Sequence, residues 1–346
     1  MKKEEAFIHR ENGVSVTLAD ERTYPESMKN IIIPFLQERM EAQYLKREDD
    51  HPIYCETYHV GNALGTVMIS HGFTESALKY QEVIFCFLQA GYQVVIFEHC
   101  GHGRSYRLTD NPYIVHVDRW QRYTDDLLWI ARGVKRQAPD RPLILYGHSM
   151  GGGIAAAAAA AEPGLFQCLI LSSPMIAPLT GKLPLPAAGA LARFLCLIGK
   201  DEVCYEKDPA YDPGAENFTN SAASSEARFS WYKAIRDHDI RFQTCAASNG
   251  WIREAVDLSL WLRSHAARRI VVPVLLFQAG HDALVSDKAQ NDLIRDLRKY
   301  GSVAAWLTRV PGARHEIYNS GSRILEGYWE RILTFLNAEQ HKKELS

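Results

Sequence analysis

A serine framed by glycines, Gly147-His148-Ser149-Met150-Gly151, holds one hydroxyl where the chain must turn sharply. The apolar run Leu143-Ile144-Leu145-Tyr146 precedes it, and Gly152-Gly153-Ile154 with an alanine-rich stretch follows. This strand-turn-helix setting is the one in which such a serine acts as a nucleophile, whereas the bland reading is a glycine-rich connector. Glycine at 147 and 151 lets helix and neighbouring strand close up around a strained residue. Ser149 is then expected at the top edge of a sheet, where a helix N-terminus favours developing negative charge. A serine hydroxyl is barely nucleophilic at neutral pH, so acyl transfer also needs a histidine and a carboxylate, in the chain order serine, acid, histidine.

Both follow in that order. The run Val274-Leu275-Leu276-Phe277 leads through Gln278-Ala279-Gly280-His281 to Asp282, and the run Ala304 to Val310 leads through Pro311-Gly312-Ala313-Arg314 to His315. Loops at the carboxyl ends of parallel strands share one rim of the sheet, so Ser149, Asp282 and His315 are expected to converge there. Asp287 competes with Asp282, but it stands at the start of the next helical pattern, where a carboxylate serves the helix terminus. His281 has no acid before it, His148 is expected to point away on the tight turn, and His71, His99 and His102 precede the serine. Two backbone N–H donors should face the developing oxyanion, one from Met150 and one from the loop His71-Gly72-Phe73-Thr74-Glu75-Ser76, with Phe73 as the expected donor. The glycine-rich loop Gly101-His102-Gly103-Arg104-Ser105 is given a structural role.

The elements that must position these groups are short apolar runs at Ile53 to Val60, Leu64 to Ser70, Val94 to Phe97, Leu143 to Tyr146, Cys168 to Leu171, Val272 to Phe277 and Ala304 to Val310. Helical patterns lie between most of them, at Tyr80 to Ala90, Arg119 to Gln137, Gly151 to Glu162 and Lys288 to Tyr300. The alternation predicts an α/β fold with a largely parallel sheet and helices on both faces. The first two runs, joined across Gly61-Asn62-Ala63, read as an antiparallel hairpin. The expected organisation is an amphipathic helical extension over 1–49, a core over 50–175 and 269–346, and an inserted helical cap over 176–268. In the extension, Pro25 to Lys46 carries Met28, Ile32, Phe35, Leu36, Met40 and Tyr44 at helical spacing, suited to packing on the core or to a membrane surface. In the cap, the apolar stretch Leu183 to Ile198 has two readings, a buried helix or a wall of a lipid pocket.

The chain has 346 residues, 23% of them charged and 47% apolar, with a formal charge of −2. That length suits one core with an insertion, and the charge provides no basic field for nucleic acid. The charged start Met1-Lys2-Lys3-Glu4-Glu5 carries no signal-peptide or membrane-anchor pattern, so a cytoplasmic location, with contact at the inner membrane face, is the expectation. Seven cysteines without a Cys-x-x-Cys pair argue against a disulfide framework or a zinc site. No feature of the sequence specifies an oligomeric state.

With these residues in place, the chain resembles the bacterial lysophospholipase and monoacylglycerol lipase group of the α/β-hydrolase superfamily, related to the serine aminopeptidase S33 hydrolases. The resemblance rests on His71-Gly72-Phe73-Thr74-Glu75-Ser76, Gly101-His102-Gly103-Arg104-Ser105, Gly147 to Gly152 and Gly312-Ala313-Arg314-His315-Glu316. It is drawn toward the lysophospholipases by His116-Val117-Asp118-Arg119-Trp120, Tyr123-Thr124-Asp125-Asp126-Leu127 and Trp251-Ile252-Arg253-Glu254. The resemblance implies the α/β-hydrolase fold, cleavage of a single acyl chain from a glycerol-based lipid, the same three residues as catalytic triad, and no metal or organic cofactor. It departs from the group at Glu98-His99-Cys100. Other readings are a short-chain carboxylesterase or peptidase of the same fold, an acyltransferase in which an alcohol replaces water, and a non-catalytic binding protein.

Overall fold

Side-by-side pairing of the apolar runs builds an eight-stranded sheet in a computed structural model that describes residues 7–8, 15–48, 50–205, 209–301 and 303–344. The charged start at residues 1–5 lies outside the described residues. The strands are β1 (Met40–Lys46), β2 (Pro52–Tyr58), β3 (Gly65–Ser70), β4 (Tyr92–Phe97), β5 (Leu143–His148), β6 (Cys168–Ser172), β7 (Val274–His281) and β8 (Ala305–Arg314). Their order across the sheet is β8-β7-β6-β5-β3-β4-β2-β1. Pairing is parallel from β8 to β4, and β2 runs antiparallel to both β4 and β1. β3, β5 and β6 are buried along their whole length, as a parallel sheet covered on both faces requires.

Helices supply that cover. A helical stretch over 24–37 (α1), α2 (Gln81–Gln89) and the terminal α9 (Ser322–Glu344) bury one face, while α3 (Gln121–Gln137), α4 (Ser149–Ala161) and α8 (Asp287–Tyr300) bury the other. The segment between β6 and β7, expected as the cap, contributes α5 (Leu185–Leu197), α6 (Glu226–Arg236) and α7 (Asn249–Trp261), with one short pairing of Ala246–Ala247 to Ile114–Val115. Helical backbone continues beyond α7 to Arg269, and Leu258, Leu262 and Ala266 along it join the core beside α4.

Two expectations are corrected. The amphipathic helix ends at Gln37 instead of Lys46, and Met40–Lys46 is an edge strand. Tyr24, Met28, Ile32 and Leu36 pack into the core as a helical stripe, but a spacing of four fits the twofold period of a strand as well. The continuing positions Met40 and Tyr44 therefore gave no signal of the change, and both are exposed on the strand.

The second correction concerns the hairpin. β2 and β3 do not pair, because β4 lies between them, parallel to β3 and antiparallel to β2. The connection through α2 sets β4 beside β3, parallel to it, on the edge that the hairpin would have used. The six-residue link over 59–64 is long enough to pass two strand spacings of about 4.8 Å each. Asn62 takes a left-handed φ of 51° within it.

None of the seven cysteines, all of them among the described residues, is in a disulfide, and five of them are buried. Among the described residues no helix is long and apolar enough to cross a membrane.

Candidate active site

Ser149 is the first residue of α4, directly after β5, and its φ of +52° lies in the left-handed region that L-residues avoid. Such a conformation costs roughly 1–3 kcal/mol and survives only where its surroundings impose it. Here they do. A Cβ at Gly147 would come within 2.7 Å of the Gly151 carbonyl oxygen and 2.8 Å of Ala155 Cβ, and one at Gly151 would collide with the carbonyl oxygens of Ser70 and His71. The turn is thus clamped between its own helix and β3. The alanines from Ala155 to Ala160 are all buried, which lets α4 lie close against the sheet.

The histidine and the acid come from two neighbouring strands. β7 and β8 are parallel, with His281 paired to Arg314, so residues 282 and 315 are each one step beyond a matched pair. Asp282 Oδ2 lies 2.8 Å from His315 Nδ1, and His315 Nε2 lies 2.8 Å from Ser149 Oγ. An ionised carboxylate only accepts hydrogen bonds, so Nδ1 carries the ring proton and Nε2 is left to accept from the serine hydroxyl. Asp282 Oδ1 accepts from the backbone amides of Leu284 at 2.9 Å and Val285 at 3.1 Å, which fixes the carboxylate plane. Burial pushes the Asp282 carboxyl up. The His315 hydrogen bond and the two amides outweigh burial and hold the carboxyl below the usual range. All three side chains are nearly closed to bulk water.

Other candidates lie apart from this chain of bonds. Asp287 sits in the first turn of α8 with its carboxylate 3.7 Å from Arg309. His281 is exposed at the end of β7. His148 turns its Nδ1 to the Ser172 carbonyl oxygen at 3.0 Å. His71, His99 and His102 stack edge to face in a buried group under the loop after β3. The His99 amide donates to His71 Nε2 at 2.9 Å, which leaves the His71 Nδ1 proton for the Gly72 carbonyl oxygen at 2.8 Å. In the glycine-rich loop, the Glu98 carboxylate takes the Arg104 amide and guanidinium, a scaffold of buried charge.

The loop after β3 carries the Phe73 amide that the sequence suggests as an oxyanion donor. Gly72 N–H is occupied by the Glu75 carboxylate at 2.6 Å, Thr74 takes a left-handed φ of 58°, and the Phe73 N–H between them has no bonding partner among the described residues. Met150 stands second in α4, where a helix has no carbonyl four residues back for its amide. The Phe73 ring packs on Trp251 of α7 with ring centres 4.2 Å apart, tying this loop to the cap. Glu75, Lys79 and Glu316 also face the site and were not singled out from the sequence. The only hints were Glu75 within the loop segment, Lys79 four residues after it, and Glu316 next to His315.

A cavity of about 420 Å³ opens over Ser149 and His315. One wall comes from residues 215–217 and 220–222 and from Phe229, Tyr232, Lys233 and Arg236 of the cap. The cations on this wall are already matched, Lys233 by Asp237 and Arg236 by Glu216. The apolar stretch Leu183 to Ile198, one reading of which was a pocket wall, lines none of it. α5 turns its small face, Ala188, Gly189 and Ala192, against α7, where a Cβ on Gly189 would come within 2.8 Å of Val256. Close approach is available only on that face, so Leu191, Phe194, Leu197 and Ile198 are left toward solvent. Among the described residues, His116, Asp201 and Glu202 come close enough to share a cation, with ligand atoms within 4.8 Å of one another, and none of them borders the cavity.

Comparison with known proteins agrees with this architecture. The chain is 33% identical over 317 residues to lysophospholipase L2 of Escherichia coli K12, covering 88% of this chain and 89% of that protein. It is 29% identical over 264 residues to a monoacylglycerol lipase of Mycolicibacterium smegmatis, covering 75% and 84%. Among solved structures, a thermostable carboxyl esterase from Bacillus coagulans superposes with a TM-score of 0.71 at 20% identity, covering 87% of this chain and 99% of that one. A soluble variant of the Saccharomyces cerevisiae monoglyceride lipase gives 0.67 at 20%, covering 86% and 94%. These structural likenesses carry the α/β-hydrolase fold. Residues 61–321 match the hydrolase family described as serine aminopeptidase, S33, and the chain belongs to that family.

Proposed function

We propose that the protein is a serine hydrolase that cleaves the carboxylic ester of single-chain glycerolipids, as a lysophospholipase or monoacylglycerol lipase. Ser149 attacks the ester carbonyl while His315 takes its proton and Asp282 holds the ring and stabilises the imidazolium. The Phe73 and Met150 amides receive the oxyanion, the alcohol leaves with the proton from His315, and water repeats the sequence on the acyl-enzyme. The observation that carries the reading is the unbroken pair of 2.8 Å bonds from Ser149 through His315 to Asp282, with the serine held at a strained φ under a cavity. The relatives named as lysophospholipase and monoacylglycerol lipase, which span most of this chain, support the substrate class.

Contact with a membrane surface belongs to the same proposal. It draws on the outer face of α5, where Phe194 is 57% and Leu197 85% exposed, because an apolar patch of this kind on a lipid-processing enzyme suits an interface.

A second reading, a short-chain carboxylesterase, is favoured by the ion-paired Lys233 and Arg236 on the cavity wall and by the cavity's modest volume of about 420 Å³. Two measurements decide. A fluorophosphonate probe should label the wild type and leave Ser149→Ala unlabelled though folded; labelling of that variant would assign another nucleophile. Across nitrophenyl esters, lysophospholipids and monoglycerides, kcat/KM should rise with acyl length, each buried methylene contributing about 0.8 kcal/mol, whereas a peak at acetate or butyrate supports the esterase. Cleavage of a proline amide in place of these esters would make the protein a peptidase.

A further inference from the structure

Phe73 and His315 stand on loops far apart in the chain, and a buried ion triplet joins those loops. The Glu75 carboxylate, 4% exposed, accepts through Oε2 from the Gly72 amide and the Tyr80 hydroxyl, each at 2.6 Å, and through Oε1 from the Tyr318 hydroxyl at 2.6 Å. Lys79 sets its ammonium 3.2 Å from the same carboxylate and 2.6 Å from Glu316 Oε1. Glu316 follows His315 directly. Its other carboxylate oxygen accepts from Asn319 Nδ2 at 2.8 Å, and its amide donates to the Ala222 carbonyl oxygen of the cap at 2.9 Å. Tyr318, the third donor to Glu75, belongs to the same short turn as Asn319, so two independent contacts cross from the Glu75 segment to the His315 segment.

We infer that Glu75 and Lys79 are positioning residues for hydrolysis: the carboxylate, through Gly72, aims the Phe73 N–H at the developing oxyanion, and the ammonium, through Glu316, holds the His315 segment in register with it. The inference rests on the reading of Ser149 as nucleophile. The loop over 72–75 needs such a hold. Thr74 is left-handed, and Gly72 packs so closely that a Cβ there would meet Glu75 Oε2 at 2.8 Å, a shape that persists only when it is over-determined. With Gly72 N–H bound to the carboxylate, the next amide is the first one free to serve a substrate oxygen.

Charge suits the task as well. Burial pushes the Glu75 carboxyl up, but Lys79 and the Tyr318 and Tyr80 hydroxyls outweigh it and keep the group an anion. Burial opposes the Lys79 ammonium, and Glu316 and Glu75 outweigh it in turn. His148 Nε2 is 3.7 Å from Glu75, and its ring is 4.9 Å from that of His315, so the triplet and the reacting histidine share one buried field. A preorganised donor shifted by about 1 Å can cost about 100-fold in rate without loss of substrate binding.

The test compares wild type with Glu75→Gln, Lys79→Met and Lys79→Arg, each checked for thermal unfolding. Readouts are kcat and KM on a nitrophenyl ester, and affinity for two lipid analogues. One is a trifluoromethyl ketone, which forms a tetrahedral adduct with the serine and places an oxyanion on the donors; the other is an unreactive ether. Glu75→Gln and Lys79→Met should lower kcat and ketone affinity together, by about 10- to 100-fold, with KM and ether affinity within about threefold. Lys79→Arg, which keeps the charge, should recover most of the loss. If kcat and ketone affinity are unchanged, or if ketone and ether affinities fall equally, the inference is overturned. Should Glu75→Gln fail to fold, the Lys79 pair decides alone, and Lys79→Met matching wild type overturns it. Active, probe-labelled wild type with unaffected variants defeats this inference only; wild type that neither turns over esters nor is labelled defeats the hydrolase reading too.

Discussion

Asp282 holds His315 through one carboxylate oxygen, 2.8 Å from Nδ1, while its other oxygen is fastened by two backbone amides. The acid is therefore braced from behind, and the ring has one orientation in which Nε2 meets Ser149. Asp287, five residues on, faces Arg309 instead.

This difference predicts opposite outcomes for two similar substitutions. Asp282→Asn should lower kcat on a nitrophenyl ester by about 10,000-fold, because an amide at that place favours the wrong ring tautomer. Asp287→Asn should change it by roughly twofold or less, as expected of a substitution outside the bonded chain. Steady-state kinetics on both variants decide, and the reverse ranking would reassign the acid.

Two glycines should respond in opposite directions to the same methyl group. Gly151→Ala drives a Cβ into the carbonyl oxygens of Ser70 and His71, a backbone clash with no soft partner, and should destabilise by about 3 kcal/mol or more. Gly327 lies within α9 with nothing within 4 Å of a built Cβ, so Gly327→Ala should stabilise by roughly 0.5–1 kcal/mol. Urea unfolding measures both, and a tolerated Gly151→Ala would mean the turn is less tightly clamped than the contacts indicate.

Stability should fall on mild acidification. Burial lowers His71, His99, His102 and His148, the last from 6.5 to about 4 against the opposing pull of Glu75. These rings are neutral in the folded protein, whereas in the unfolded chain each binds a proton near pH 6.5, so acid favours unfolding. For His148 the stabilisation is fully present above about pH 6.5 and is lost as pH falls toward 4, a change of about 3 kcal/mol. A urea midpoint that stays level from pH 7 to pH 5 would contradict this.

The outer face of α5 should govern adsorption to lipid. Phe194→Glu with Leu197→Glu places two charges on that face, away from the cavity residues. Sedimentation with phospholipid vesicles should weaken by about tenfold or more, since each large apolar side chain withdrawn from an interface forfeits about 1.5–3 kcal/mol. Turnover of a short, water-soluble ester should stay unchanged. Equal vesicle binding by the double variant would remove α5 from the proposed contact.

Local pattern alone was enough to read the parallel α/β sheet and the convergence of Ser149, Asp282 and His315. Buried parallel strands write themselves as unbroken apolar runs, and the glycines around Ser149 and the ends of β7 and β8 mark loops on one rim, so chain order implied the meeting point. The bonds themselves, and the match of His281 to Arg314 that aligns the two loops, came from the folded chain. What tertiary structure alone decided depends on which surface is left open. Met40 and Tyr44 fit helix and strand alike until an edge of the sheet claimed them, and β4 entered between β2 and β3 through a crossover that no local residue announces. The small face of α5 chose α7 over the cavity, and Lys79 found Glu316 from 237 residues away. Periodicity records how a segment is buried, but the identity of its neighbour is set by long-range packing, which local spacing does not encode.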